Sequence, residues 1–195
     1  HIVSDGSSMM NIFTEISISY EALVNNKIIE FPELKTTYLN YSEIQRKFLT
    51  GDEFERQKSY WKNKLFNRHE NINLPIDFNR EDEQLFKAAY CIKTLSKTLS
   101  DKIRVFYKNQ GTSLFKFSLC IFDILLHQIT GQENITIGFP GGGRKNEELL
   151  NTVGFFIQTL IHNIQISAEM NFKDLLHSVN EDIKNSVNNQ DYPFQ

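Results

Sequence analysis

The chain has 195 residues, a formal net charge of -3, 40% hydrophobic and 23% charged residues, which suits a globular protein with a substantial core. The slightly acidic balance argues against nucleic acid as the main partner, because a phosphate backbone selects for a basic face. Two cysteines, Cys91 and Cys120, make no disulfide framework, no secretory signal is visible, and no apolar run reaches the ~18 residues of a transmembrane helix; the expectations are a reducing cytoplasm and no membrane.

Helical spacing begins after Gly6. Met9, Ile12, Phe13, Ile16, Tyr20 and Leu23 recur at intervals of three and four, with Ser7 or Ser8 as the expected cap and Asn25-Asn26 as the stop. Tyr38 to Leu49 and Phe54 to Leu65 predict two short helices parted at Gly51. The polar stretch NINLPIDFNRED, with its single proline, predicts an extended linker and a boundary between two structural units. Ala88 to Leu95 alternates and predicts a strand. Ser100 to Asn109 predicts a helix capped by Ser100. Ser113 to Ile129 is the strongest helical pattern; Gly131 stops it, and Lys116, Asp123 and His127 mark it as a core helix. Asn134 to Phe139 predicts a strand running into Pro140 and three glycines, and Phe155 to Ile166 a long apolar strand. Asn171 is placed to cap a last amphipathic helix through Leu175, Leu176, Val179, Ile183 and Val187. This mixed order fits an α/β sandwich better than a bundle or an all-β fold. No internal repeat, heptad run or low-complexity segment interrupts it.

Three groups of residues bear on chemistry. The first is His1-x-x-x-Asp5-Gly6. A histidine moves protons near neutral pH, a glycine lets the backbone turn at a pocket mouth, and a helix N-terminus favours developing negative charge. Asp5 can orient the ring or hold the turn by an ion pair. Spacing alone leaves open a blander reading, a tag-derived histidine before an Asp-Gly turn. The second is GFPGGGR, Gly138 to Arg144. It follows a strand and exposes backbone N–H groups, but it lacks the Lys-Ser/Thr of a phosphate loop and reads more simply as a connecting loop. Arg144 is either a surface charge or the partner of a buried carboxylate such as Asp5. The third is the remaining histidines, His69, His127, His162 and His177, which show no metal-ligand spacing; no metal is expected. No Gly-x-Ser-x-Gly elbow is present, and Cys120, in the most apolar helix, reads as buried and inert.

HIVSDGSS resembles the His-His-x-x-x-Asp-Gly signature of condensation domains from non-ribosomal peptide synthetases, with His1 as the second histidine. Further segments follow in the family's order. TYLNYSEIQRKF is similar to Tyr-x-Asp-Tyr-Ala-x-Trp-Gln, keeping Tyr38, Tyr41 and Gln45 while Asn40, Ser42 and Ile44 depart. SYWKNKL with LPIDFNR resembles Tyr-Trp…Leu-Pro-x-Asp-x-x-Arg. TGQENITIGFPGGGR resembles the Thr-Gly-Gln-x-Asp segment that ends in Gly-Arg. VGFFIQTL resembles Ile-Gly-x-Phe-Val-Asn-Thr, with Gly154, Phe156 and Thr159 kept and Gln158 in place of Asn. NQDYPFQ is similar to His-Gln-Asp-x-Pro-Phe-Glu. Six ordered motifs reach from the first residue to the last, so His1 is read as native.

The resemblance implies part of a chloramphenicol acetyltransferase-like, two-lobed α/β fold with a tunnel between the lobes. Residues 1–73 would end the N-terminal lobe, 74–86 would be the crossover, and 87–195 would begin the C-terminal lobe. The whole domain would be roughly twice as long, so the stretch by itself is expected to be inactive. It also implies an acyltransferase that forms an amide between an acyl or peptidyl thioester and an aminoacyl thioester. Both substrates would ride on the phosphopantetheine of carrier domains, with an adenylation domain on the same chain and no cofactor in the domain itself. His1 would hydrogen-bond the attacking amine, as base or as positioner, Asp5 would pair with Arg144, and Gly6 would leave room for the substrate arm and offer its N–H to an oxyanion. Gly154, Phe156 and Gln158 would lie near the tunnel. Heterocyclising relatives would carry Asp in place of His1, and epimerising ones often carry Trp where Met9 stands. Alternatives within the resemblance are an ester-forming acyltransferase and a non-catalytic recruitment domain.

Overall fold

The computed structural model describes residues 2–66, 71–78 and 89–193. The expected linker is described through residue 78 and holds no helix or strand there; Asn79, Arg80 and Ala88 lie outside the described residues. Helix α1 spans Gly6–Val24. Its cap is Asp5 rather than Ser7 or Ser8: Asp5 is extended and its carboxylate accepts the Ser8 N–H at 2.8 Å, which places both serines inside the first turn. Asn25 closes the helix and Asn26 takes a positive φ of 51°. Helix α2, Tyr38–Phe48, is capped by Thr37. Helix α3, Asp52–Leu65, starts after Gly51; Asp52, Glu53 and Glu55 stand in its first turn and Lys62 and Lys64 in its last, which matches the helix dipole at both ends.

Helix α4, Lys97–Asn109, begins one turn before the expected position. Ser96 caps it, and Ser100 N–H already donates to the Ser96 carbonyl at 2.9 Å, so Ser100 is helical. Helix α5, Leu114–Thr130, is capped by Ser113 and ends at Gly131 in the left-handed conformation (φ 69°), whose N–H reaches the His127 carbonyl at 2.8 Å. Strand β1, Asn134–Gly141, extends through Pro140. Strand β2, Gln158–Gln165, starts three residues after the apolar run does. The cause is local: the Phe155 carbonyl accepts from the Tyr38 hydroxyl at 2.9 Å, and the Phe156 N–H donates to Asp5 at 3.1 Å. Neither group is left for a ladder. Helix α6, Phe172–Asn188, follows Asn171, whose Oδ1 accepts from the N–H groups of Lys173 and Asp174 at 3.0 and 3.1 Å.

The strand expected over Ala88 to Leu95 is not there: described residues 89–95 hold no strand, and every one is exposed. Alternating apolar residues make a strand only when a neighbour pairs with it and buries one face; among the described residues Tyr90 and Ile92 have none. β1 and β2 form a two-stranded sheet. The Ile166 N–H, just past β2, bonds the Glu133 carbonyl, just before β1, so the pair is antiparallel.

The chain divides into two units. Unit 1 takes the described residues of His1–Phe66, Gly138–Ile161 and Ser186–Gln195; its buried apolar residues are Ala22, Trp61, Phe139, Leu149, Phe156 and Leu160. The Trp61 indole N–H donates to the Asn189 carbonyl at 2.9 Å, fixing α3 against the end of α6. Unit 2 takes the described residues of Asn67–Ile137 and His162–Asn185. Its core stacks Leu119, Cys120 and Leu126 of α5 with Ile135 of β1, Ile164 of β2 and Leu175, Leu176, Val179 and Ile183 of α6. Phe106, Phe117 and Phe172 pack ring to ring at one end, with centroids 5.7–6.1 Å apart. No single described helix is long and apolar enough to cross a membrane.

No described residue covers the apolar stripe of α1. Phe13, Ile16 and Tyr20 are 56%, 57% and 71% exposed. A row of this kind drives association in water. The chain expressed as 1–195 should therefore self-associate with rising concentration in light scattering, and Phe13→Lys with Ile16→Lys should suppress it while circular dichroism keeps the same helix content.

Candidate functional site

The densest polar cluster of unit 1 is built on Asp5. The capping geometry of α1 sends its carboxylate inward, where Asp5 is only 2% exposed. Oδ1 accepts from Ser8 N–H at 2.8 Å and lies 2.9 Å from Ser8 Oγ; Oδ2 accepts from Arg144 Nη1 at 2.6 Å and from Phe156 N–H at 3.1 Å. Arg144 is no surface charge: its side chain is 6% exposed. It also donates through Nη2 to Ser8 Oγ (2.9 Å) and the Thr152 carbonyl (3.1 Å), and through Nε to the Leu149 carbonyl (3.2 Å). Its guanidinium carbon lies 4.1 Å from the centre of the Phe156 ring. Burial alone would raise the Asp5 carboxyl, but the bonds from Arg144, Ser8 and Phe156 outweigh it and hold it well below the usual carboxylate range.

Ser8 is the residue that sequence reasoning missed. It is fully buried, and besides meeting Asp5 and Arg144 its hydroxyl accepts the Gly154 N–H at 3.0 Å and lies 2.8 Å from the Gly154 carbonyl. The available signal is its place three residues after the cap, where a helix N–H needs a partner. Gly154 lies under the Tyr38 ring, and a Cβ there would overlap ring carbons. Gly143 has φ 68°, and a Cβ on it would overlap the Phe156 carbonyl. Phe156 is buried and packs edge-on to Tyr38 (5.2 Å) and tilted to Tyr41 (4.7 Å).

The structure thus brings together Asp5, Arg144, Gly154 and Phe156. Gly6, the first residue of α1, faces open space, with nothing within 4 Å of where a Cβ would stand. Gln158 is half-buried at the start of β2 and joins none of the bonds of this cluster. His1 lies outside the described residues. The glycine loop is tied down rather than loose: the Gly143 N–H donates to Gln190 Oε1 at 3.2 Å, and Lys145 pairs with Asp191. Asp191 is in turn bound by Gln57, which is 1% exposed and accepts the N–H groups of Asp191 and Tyr192 at 3.1 Å. A pocket of about 250 Å³ lies beside this loop, walled by Tyr41, Ile44, Phe48 and Leu149, with Gln45 and Lys145 at its polar side. No cluster of three or more metal-ligating side chains occurs among the described residues.

The family model for the condensation domain matches residues 1–195. The chain belongs to the condensation domain family. A linear gramicidin synthase from Brevibacillus parabrevis is 35% identical over 195 residues, covering 100% of this chain and 2% of that protein. Bacitracin synthase 2 of Bacillus licheniformis is 34% identical over 194 residues, covering 100% of this chain and 7% of that protein. The chain therefore spans a small fraction of the length of the curated relatives it matches. Among solved structures, the first condensation domain of the calcium-dependent antibiotic synthetase in complex with a substrate analogue superposes with a TM-score of 0.81 at 18% identity, over 99% of this chain and 42% of that one. The X-domain in complex with OxyB from teicoplanin biosynthesis gives 0.82 at 19%, over 99% and 44%. The fold is accordingly part of the chloramphenicol acetyltransferase-like α/β fold of condensation domains.

In this condensation-domain segment the Asp5–Arg144 pair is buried, so removing one member strands the other. Arg144→Ala should cost about 3–5 kcal/mol of stability, read from denaturant midpoints. Arg144→Lys should recover little, because a single ammonium cannot reproduce the several bonds of a planar fork. Asp5 adds an acid limit. Its folded value is depressed, so its contribution is complete above about pH 5 and is lost as pH falls below the unfolded carboxylate value of about 3.9. The stability gap between the parent chain and Asp5→Asn should narrow on titration from pH 6 to pH 3.

Proposed function

We propose that this chain is the segment of a condensation domain that carries its reaction motif. The whole domain would join an acyl or peptidyl group on one carrier domain to an aminoacyl group on another, in non-ribosomal peptide assembly. The observation that carries this reading is the fixed Asp5 hub, four residues downstream of His1, in a chain that matches the family from end to end. Relatives such as linear gramicidin synthase and bacitracin synthase supply the context. A four-domain non-ribosomal peptide synthetase, 22% identical with a TM-score of 0.82, supplies the fold of a multidomain neighbour.

On this reading the amine nitrogen of the acceptor attacks the donor thioester carbonyl. A C–N bond forms, the C–S bond breaks, and the proton lost by the amine ends on the departing sulfur. His1 holds the attacking amine by a hydrogen bond. The Gly6 N–H, at the positive end of α1, is a donor for the developing oxyanion, and the open space around Gly6 admits substrate. Asp5 and Arg144 do not touch substrate. They fix the start of α1, which follows His1 in sequence, so they act as positioning residues. The phosphopantetheine arms belong to the carrier domains and come as part of the substrates, activated by an adenylation domain on the same polypeptide in the cytoplasm. Tethering both reactants supplies much of the rate by proximity.

The test uses the complete domain with an acyl-loaded donor carrier and an aminoacyl-loaded acceptor carrier, read by intact mass. Transfer onto the acceptor should occur, and His1→Ala should reduce its rate by about 10²–10⁴-fold. Transfer that survives in His1→Ala would overturn the role given to His1. No transfer with several loaded pairs would overturn amide formation, in favour of an alcohol acceptor or a recruitment role.

A further inference from the structure

Unit 2 holds a second buried polar cluster, separate from the Asp5 hub. His162 on β2 is completely buried. Its Nε2 lies 2.9 Å from Oδ2 of Asp123 on α5, and its Nδ1 lies 2.7 Å from Oδ2 of Asp182 on α6. The same Asp182 oxygen accepts the Asn163 N–H at 3.3 Å. Asp123 is also completely buried, and its Oδ1 has no hydrogen-bond partner.

Counting protons shows what this geometry requires. A neutral imidazole has one N–H and one lone pair. If both carboxyls were ionised beside a neutral ring, one of the two short contacts would set lone pair against lone pair. Both are hydrogen bonds only when the group holds one more proton. On the Asp182 side the oxygen already accepts the Asn163 N–H, so it is arranged as an acceptor and Nδ1 carries hydrogen. The additional proton therefore lies in the contact between Asp123 and Nε2. On either atom it removes one unit of negative charge from a buried site, where charge is costly.

We propose that Asp123, His162 and Asp182 form a buried proton-binding site whose proton clasps α5 and α6 to β2. Among the described residues Asp123 from α5 and Asp182 from α6 bond the ring, Cys120 lies within electrostatic reach of Asp123, and Asn163 and Thr136 lie along the strands, joined at 2.6 Å. Burial pushes the Cys120 thiol up to about 12, so it stays neutral and takes no part. Burial opposes the imidazolium, but the two carboxylates outweigh it and raise His162 above its ordinary value; burial also raises Asp123. Both shifts have one sign. The folded unit keeps a proton that the unfolded chain gives up above the ordinary imidazole value of about 6.5. The contribution is complete below that pH. Above it, the folding equilibrium constant falls by about ten-fold per pH unit until the folded site itself lets go.

Asp123→Asn tests this without changing shape. The amide donates to Nε2, Nδ1–H still donates to Asp182, and no additional proton is needed. Denaturant midpoints of the 195-residue chain and of the variant are measured from pH 6 to pH 9.5, together with the ¹⁵N spectrum of the His162 ring. The expected result is the ten-fold loss per unit in the parent, a slope shallower by one proton in Asp123→Asn, and a parent ring at neutral pH with hydrogen on, or shared by, both nitrogens. Equal slopes in the two proteins overturn the proposal. So does a parent ring whose Nε2 at neutral pH neither carries hydrogen nor accepts a hydrogen bond. Should Asp123→Asn fail to fold, the ring spectrum of the parent decides by itself.

Discussion

The arrangement of unit 1 depends on a single buried charge. Asp5 enters the interior because it caps α1, and a buried carboxylate must be matched on every side or it destabilises the fold. The matching groups come from places distant in sequence: Ser8 in the helix, Arg144 in the glycine loop and the Phe156 N–H ahead of β2. Each bond that satisfies the charge also fixes one of those segments. Arg144 spreads the constraint further, to the carbonyls of Leu149 and Thr152. The helix start, the loop and the strand entry are thus held by one electrostatic requirement rather than by a continuous apolar core.

The glycines follow from that requirement. Bringing a guanidinium down onto the Phe156 ring forces the 141–144 backbone close to Phe156, and only a residue without Cβ fits at Gly143. The Ser8 hydroxyl meets both backbone groups of Gly154, which leaves that position under Tyr38 with no room for a side chain. Tyr38 then commits its hydroxyl to the Phe155 carbonyl, and this delays β2 to Gln158. A chain of local necessities runs from a helix cap to the first residue of a strand.

What can be read in the sequence follows the range of the interaction. The Gly131 stop and the Asn171 cap are decided within a few residues, and spacing places them. Asp5 and Ser96 pass as ordinary positions because serines nearby offer equally good caps; the choice between them is made by what the side chain meets once folded. Ala88 to Leu95 has the alternation of a strand, yet no neighbour covers its described residues, and period-two patterning carries no information about the partner. Asp5 and Arg144 stand 139 residues apart. The residues alone offer their pairing as one of two alternatives, and the likeness to a family selects it. Ser8, which bonds to both, passes as a helix-start serine. The cluster in unit 2 has no local signature at all, since Asp123, His162 and Asp182 lie on three separate elements.

The two buried clusters solve the same problem by different means. In unit 1 an arginine, charged at all accessible pH, balances one carboxylate, and the match is insensitive to protons until the carboxylate itself titrates. In unit 2 two carboxylates face one imidazole, and the neutral ring carries one hydrogen too few for both short contacts. A mobile proton can supply it; an apolar replacement would remove the need for it. Arg144 could not serve there, because its long fork needs several carbonyls around it, whereas the imidazole is short enough to sit within a strand and reach a helix on either side. The start of α1 and the glycine loop are thus secured by a fixed charge, and the α5–β2–α6 layer by a titratable one.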